Sequence, residues 1–214
     1  MAEVEALTSG LDVSEMAISY LVLGSPPADA AFIDIIDDSL GELEDRLGLD
    51  LTYAELQDRG EDLLVHVYAS VDGAVRVSVV EEERTPVHYL TVEAPTQEIV
   101  DDLASFLDEH LPVQDLASLQ SLARHESAEN PGILVKLAIA SAGPDEVTDS
   151  IIRDALGSRD HSVLRAAIEA ASLTRWPSFA GALADHYQKH PDKSIRELSG
   201  RALNALVMGN PSGS

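Results

Sequence analysis

The stretch Val65-His66-Val67-Tyr68-Ala69-Ser70-Val71-Asp72-Gly73-Ala74-Val75-Arg76-Val77-Ser78-Val79 decides the first half of the fold. Val65, Val67, Ala69 and Val71 alternate with His66, Tyr68 and Ser70, and Val75, Val77 and Val79 alternate with Arg76 and Ser78. A period of two belongs to a half-buried strand, because successive side chains leave a pleated backbone on opposite faces. Asp72-Gly73 between the two runs predicts a type I′ hairpin turn. The acidic run Glu81-Glu82-Glu83 leads into a third strand over 87–92, so this part of the chain predicts a three-stranded antiparallel meander.

Helices flank it on both sides. Asp12-Val13-Ser14-Glu15 approximates a capping box and predicts a short helix through residue 23, ended by Gly24-Ser25-Pro26-Pro27. A second helix is expected over 29–47, with Phe32, Ile36, Leu40, Leu43 and Leu47 as its apolar stripe. Thr52-x-x-Glu55 predicts a single helical turn before Gly60. Pro95-Thr96 opens a further helix over 97–110, with Ile99, Leu103, Phe106 and Leu107 inward. Residues 1–112 thus read as an α+β domain in the order α-α-β-β-β-α, a sheet face covered by amphipathic helices. Its edge is blunted in this reading by Arg76, Arg84 and Glu81 to Glu83.

Residues 113–208 show no strand pattern. Helices are expected over 114–124, 131–141, 146–156, 161–173, 177–188 and 193–207. Asn130, Asp145, Asp160 and Asp192 suit N-caps, Pro131 and Pro177 suit the first helical position, and Gly143 and Gly157 suit a left-handed C′ position. Ile133, Val163 and Ile195 open similar segments, and Leu116, Val147 and Phe179 keep step with them, so three helix pairs recur with a period close to 31 residues. Asp160-x-x-Val163-x-Arg165-x-Ala167 and Asp192-x-x-Ile195-Arg196 resemble the second helices of the HEAT-repeat family and, more broadly, HEAT-like α-solenoids. That resemblance implies a curved, rigid surface for binding partners and no reaction, with Arg165 and Arg196 paired to the repeat aspartates. Residues 209–214, GNPSGS, read as a flexible tail.

Charge divides the 214 residues unevenly. Residues 1–112 hold 26 acidic residues against Arg46, Arg59, Arg76 and Arg84, a net of −22, whereas 113–214 hold 12 acidic and ten basic residues. A uniformly acidic proteome would acidify both halves alike. Such a chain lacks the basic patch that nucleic acid or an anionic membrane requires, so direct binding to either is not expected. A basic protein partner is electrostatically compatible. Cysteine is absent, which removes disulfides, thiol catalysis and cysteine-based metal centres. The acidic N-terminal stretch and the lack of a long apolar run lead us to expect a soluble cytoplasmic protein.

Chemistry has little foothold in these residues. No Gly-x-Ser-x-Gly, P-loop or Gly-x-Gly-x-x-Gly occurs. His186-x-x-x-His190 sets two imidazoles one helical turn apart, but a third metal ligand is not apparent and His190 suits a helix end. Adjacent carboxylates on helices point in different directions, which favours solvation over paired acid–base work. No catalytic residue, metal or cofactor is therefore expected. The candidate partner-binding residues are Asp34, Asp37, Asp38 and Glu44 on one acidic face, Glu98, Asp101 and Asp102 on another, and Trp176. Either acidic face equally suits plain solvation, and Trp176 suits packing between repeats as well as an interaction hot spot. The resulting expectation is a non-enzymatic scaffold or adaptor. The alternative is an immunity-type or nucleic-acid-mimicking inhibitor that neutralises a basic protein.

Overall fold

The computed structural model describes residues 16–24, 32–60, 63–82 and 87–208. The expected capping box at Asp12 to Glu15 and the tail after residue 208 lie outside them. Where a first helix was expected through residue 23, the chain forms strand β1, Ala17–Leu23. The run AISYLVL is short, and Ile18, Tyr20 and Val22 put β-branched and aromatic side chains at alternate positions, where a strand accommodates them best. Its apolar continuity resembled a helix because periodicity cannot separate the two over seven residues.

The long helix expected over 29–47 is two helices, α1 at Phe32–Gly41 and α2 at Leu43–Leu47. They break at Gly41-Glu42, where Glu42 N–H donates to the Ser39 carbonyl in a tightened turn (3.2 Å). Ile36, Leu40 and Leu43 are buried as the stripe requires, while Leu47 is 38% exposed. Gly48 then turns left-handed at φ 67° and returns its N–H to Glu44 O (3.0 Å). The helical turn expected at Thr52 is instead strand β2, Leu51–Asp58. Strands β3 (Leu63–Ser70), β4 (Arg76–Glu82) and β5 (Val87–Ala94) follow, and helix α3 spans Gln97–His110 behind its Thr96 cap.

The five strands make an antiparallel sheet in the order β1-β5-β4-β3-β2, two more strands than the meander foreseen. The β3–β4 turn also differs from expectation. Gly73 N–H donates to Ser70 O (2.8 Å) and Ser70 N–H to Val75 O (3.0 Å), so four residues form the loop. A type I′ turn would need positive φ at both Asp72 and Gly73, and only Gly73 has it. Asp72 instead accepts from the Ala74 N–H (3.0 Å) and the Ser70 hydroxyl (2.6 Å), holding the loop from within.

The remaining elements are helices: α4 Leu116–Glu126, α5 Gly132–Ala140, α6 Glu146–Leu156, α7 His161–Thr174, α8 Ala180–Lys189 and α9 Lys193–Met208, with a single 3-10 turn at Pro177–Phe179. Six helices were expected here and six are found. Helices α4 and α5, α6 and α7, and α8 and α9 pack as neighbours, and α7 packs on both α5 and α9. Ala166, Ala167, Ala170 and Ala171 are buried on α7, which lets its neighbours approach closely. At Gly200 a Cβ would lie 3.1 Å from the Tyr187 ring, so glycine permits the close seating of α8 on α9.

Asp145 and Asp160 cap α6 and α7 as foreseen. Asn130 does not cap α5, whose N-cap is Pro131. Gly157 closes α6 with φ −84°, and Gly143 has no positive φ, so neither adopts the left-handed turn expected of it. That conformation falls to Arg175 at φ 54° after α7. A side chain there clashes with its own carbonyl at a cost of about 1–2 kcal/mol, partly offset by glycine's greater chain entropy. Arg175→Gly is therefore expected to raise the unfolding free energy by roughly 0.5–1 kcal/mol, read as a higher midpoint in urea.

The described residues form two compact units. One comprises 16–19, 32–60, 63–80 and 90–112, and the other 20–24, 81–82, 87–89 and 113–208. A single cut at 112 does not separate them, because the second unit recruits the ends of strands. Gln114 N–H donates to Val22 O (2.9 Å), Leu23 forms an antiparallel bridge with Val113, and the Lys136 ammonium donates to Leu23 O (3.1 Å) and Gln114 Oε1 (3.3 Å). Burial of Lys136 pushes its pKa down. Val22 and Val87 share the apolar core of this unit with Leu134, Leu137, Ile152 and Phe179.

Candidate functional site

The acidic residues singled out by sequence all lie in the first unit. Asp34, Asp37 and Asp38 are exposed on α1, Glu44 is exposed on α2, and Glu98, Asp101 and Asp102 are exposed on α3. Helical periodicity explains why they face water: Ile36 and Leu40 take the inner side of α1, and Val100, Leu103 and Leu107 that of α3. Asp34 and Glu98 lie in first turns, where the helix dipole favours a negative charge.

Their hydrogen bonds are with neutral groups. Asp37 accepts from the buried hydroxyl of Tyr68 on β3, and Asp101 accepts from Gln97 Nε2 (2.8 Å). Burial, followed by the hydrogen bond to Asp37, pushes the Tyr68 phenol well above its ordinary range. Among the described residues, none of these seven carboxylates forms an ion pair. Two of the arginines are engaged elsewhere. Arg46 pairs with Glu109 (3.3 Å) and lies 5.3 Å over the Phe106 ring, while Arg59 donates to Gln57 Oε1. The Arg46 pair ties α2 to the last turn of α3. At a rise of 1.5 Å per residue, Glu98, Asp101 and Asp102 lie about 10–17 Å back along α3 from Glu109. The α3 cluster therefore lies about two to three turns from the Arg46–Glu109 pair, beyond the reach of that guanidinium.

Trp176 is buried at 6% exposure, its ring stacked on Phe179 with centroids 5.8 Å apart. Only its rim meets an open cavity of about 340 Å³ lined also by Pro144, Asp145, Glu146, Asp149 and Ser178. Two of the three acids there are committed internally. Asp145 accepts from the Val147 and Thr148 N–H groups and from Gln120, and Asp149 accepts from Ser178 and Arg153. These bonds hold both carboxyls below the usual carboxylate range, the Thr148 hydrogen bond leading for Asp145; for Asp149 the Ser178 and Arg153 contacts outweigh partial burial. Among the described residues, Glu146 is the carboxylate of this cavity left without a hydrogen bond or ion pair.

The His186–His190 pair is tied to backbone. Leu156 O lies 2.8 Å from His186 Nε2, and a carbonyl only accepts, so that nitrogen carries the proton. His190 Nδ1 accepts from Asp192 N–H (3.2 Å), and its ring stands edge-on to His161, whose Nδ1 faces Asp192 at 3.4 Å. Among the described residues no group of three or more His, Asp or Glu side chains is placed to hold a metal ion. The expected repeat pairing of Arg with Asp is replaced. Asp160 and Asp192 bond the N–H groups that open α7 and α9, Arg196 donates to His190 O and Pro191 O, and Arg165 is exposed. The helix starts supply the local donors that these carboxylates take: the Ser162 N–H and hydroxyl and the Val163 N–H for Asp160, and the Ser194 N–H for Asp192.

Sequence reasoning missed Tyr53 and Leu56 on β2, which are 51% and 52% exposed. The register shifts between Tyr53 and Glu55, so Tyr53 opposes Tyr68 and Leu56 opposes His66 on one face of the sheet. A one-residue bulge spaces these two side chains three apart, a helical interval, and disguises the strand. The flanking Leu51 and Tyr53 alternation was the available signal. No described helix is long and apolar enough to cross a membrane. The chain matches no family model, and no curated protein or solved structure is significantly similar to it.

Proposed function

We propose that the chain is a non-enzymatic binding protein whose first unit engages a basic region of a protein partner, while the paired helices of the second unit act as a HEAT-like scaffold surface. One observation carries the first part: seven exposed carboxylates on α1, α2 and α3 have no cationic partner among the described residues. Like charges at helical intervals, such as Asp34 with Asp38 and Glu98 with Asp102, repel by a few tenths of a kcal/mol per pair. A cationic surface relieves that repulsion and is steered toward it. The serial packing of α5, α7 and α9 supports the scaffold reading. Concentration of the charge, 26 acidic against four basic residues in 1–112, also favours the narrower reading of an inhibitor that occupies a basic cleft.

The test is affinity capture from source-cell lysate with the full chain and with a variant carrying Asp38→Asn, Glu44→Gln, Asp101→Asn and Asp102→Asn. Asp34, Asp37 and Glu98 are kept because they support helix starts or the Tyr68 bond. A partner of high isoelectric point, held at low salt and lost both at high salt and by the variant, is the expected result. Loss of that partner's own activity in the complex selects the inhibitor over the adaptor. Partners held equally by both chains at high salt would refute the acidic-face reading.

A further inference from the structure

We propose that β2 is a docking strand, and that its occupant is an extended basic segment of a partner protein which adds to the sheet as a sixth strand. This rests on the basic-partner reading and locates one contact within it. The sheet order leaves β1 and β2 at the two edges. The outer side of β1 is engaged at its Val22–Leu23 end, by the Leu23–Val113 bridge and the Gln114 N–H to Val22 O bond. On β2, residues 52–56 are exposed without interruption, and the only described strand pairing with it is β3. Arg76 and Glu81, expected to blunt the edge, lie on β4 inside the sheet.

An exposed strand of eight residues is a ready template for another chain; proteins protect such an edge with charged side chains, proline or a bulge, and on β2 the charges are acidic and so guard it least against a basic strand. The segment LTYAELQD contains no lysine or proline. Its one irregularity, the bulge between Tyr53 and Glu55, divides the edge and leaves Glu55–Asp58 as a regular stretch opposite Val67–Leu64. So short a ladder cannot hold a partner by main-chain bonds alone, and charge must contribute.

The charge around β2 selects the occupant. Tyr53 stands edge-on to Tyr68, centroids 5.4 Å apart, and the Tyr68 hydroxyl holds Asp37, so the α1 carboxylates border the Tyr53–Leu56 face. Glu55 and Asp58 are exposed on the strand itself. A second copy would bring the same acids into register against themselves, which disfavours β2–β2 pairing. An incoming strand with lysine or arginine alternating with apolar residues lays its apolar side over Tyr53 and Leu56 and its cations along Glu55 on the opposite face.

The probe is a fluorescent, end-blocked octapeptide of alternating valine and lysine, with two controls: the valine–glutamate equivalent, and the valine–lysine peptide with its central valine replaced by proline. Anisotropy is read at low salt on the full chain, with amide exchange followed at residues 55–58. We expect the valine–lysine peptide to bind at least tenfold more tightly than either control and to slow exchange at 55–58. Leu56→Lys, an exposed substitution, is expected to weaken it at least tenfold without changing the thermal midpoint. Equal binding of the proline peptide would overturn the docking strand while leaving charge-based recognition standing. Failure of both basic peptides to bind would overturn it also, and lysate capture then decides the broader reading by itself. A dimer in sedimentation equilibrium that Leu56→Lys abolishes would assign the edge to a second copy and overturn the proposal.

Discussion

Phe179→Ala is expected to destabilise the second unit by about 3–5 kcal/mol, a large share of the ~5–15 kcal/mol that holds an ordinary domain together. The side chain is fully buried, so truncation forfeits both its transfer from water and the contacts lining the space it leaves. Its ring also stacks on Trp176 at an interplanar angle of 19°. That pairing adds roughly 0.5–1.5 kcal/mol beyond burial. Pro177–Phe179 is the 3-10 turn that launches α8, so the cavity opens where α8 begins. Tyr187→Ala, at a half-exposed site on the same helix, is expected to change stability far less. Equilibrium urea unfolding distinguishes the two. Similar midpoints for both variants would mean that the Trp176–Phe179 stack is not a core element.

The second large effect concerns association. Neutralising Asp38, Glu44, Asp101 and Asp102 removes four charges from solvent-facing helix surfaces while leaving the buried stripes untouched. Steering by opposite charge raises on-rates by about 10–10³ and fades as salt shortens the reach of the field to about 8–10 Å. The variant is therefore expected to associate with the captured partner roughly 10–100-fold more slowly at low ionic strength, and to approach the unmodified chain at high ionic strength. Dissociation should change less, since exposed charges act mainly before docking. Stopped-flow mixing reads both rates.

The helical half was legible because its signals are local. Asp145 and Asp160 each satisfy helix N–H groups within three residues, and Ile133, Val163 and Ile195 mark the inner sides of alternate helices at regular spacing. The sheet was less so, because its outer strands depend on partners far away in sequence. β1 needed β5, seventy residues on, and β2 hid behind a bulge that gave Tyr53 and Leu56 a helical interval. Left-handed positions were less legible too: Gly143 and Gly157 offered the freedom without adopting it, whereas α7 ends on a left-handed Arg175. Among the candidate site residues, exposure of the seven carboxylates followed from helix periodicity. The engagement of Arg46 with Phe106 and Glu109, which leaves those carboxylates without it, depends on contacts sixty residues apart in sequence.

The most direct measurement of the central claim is the ionic-strength dependence of the association rate between the full chain and its captured partner, taken beside the four-charge variant. A steep fall in rate with rising salt for the unmodified chain, and a shallow one for the variant, is the predicted result. Identical, flat dependences for both chains would contradict recognition through the acidic faces.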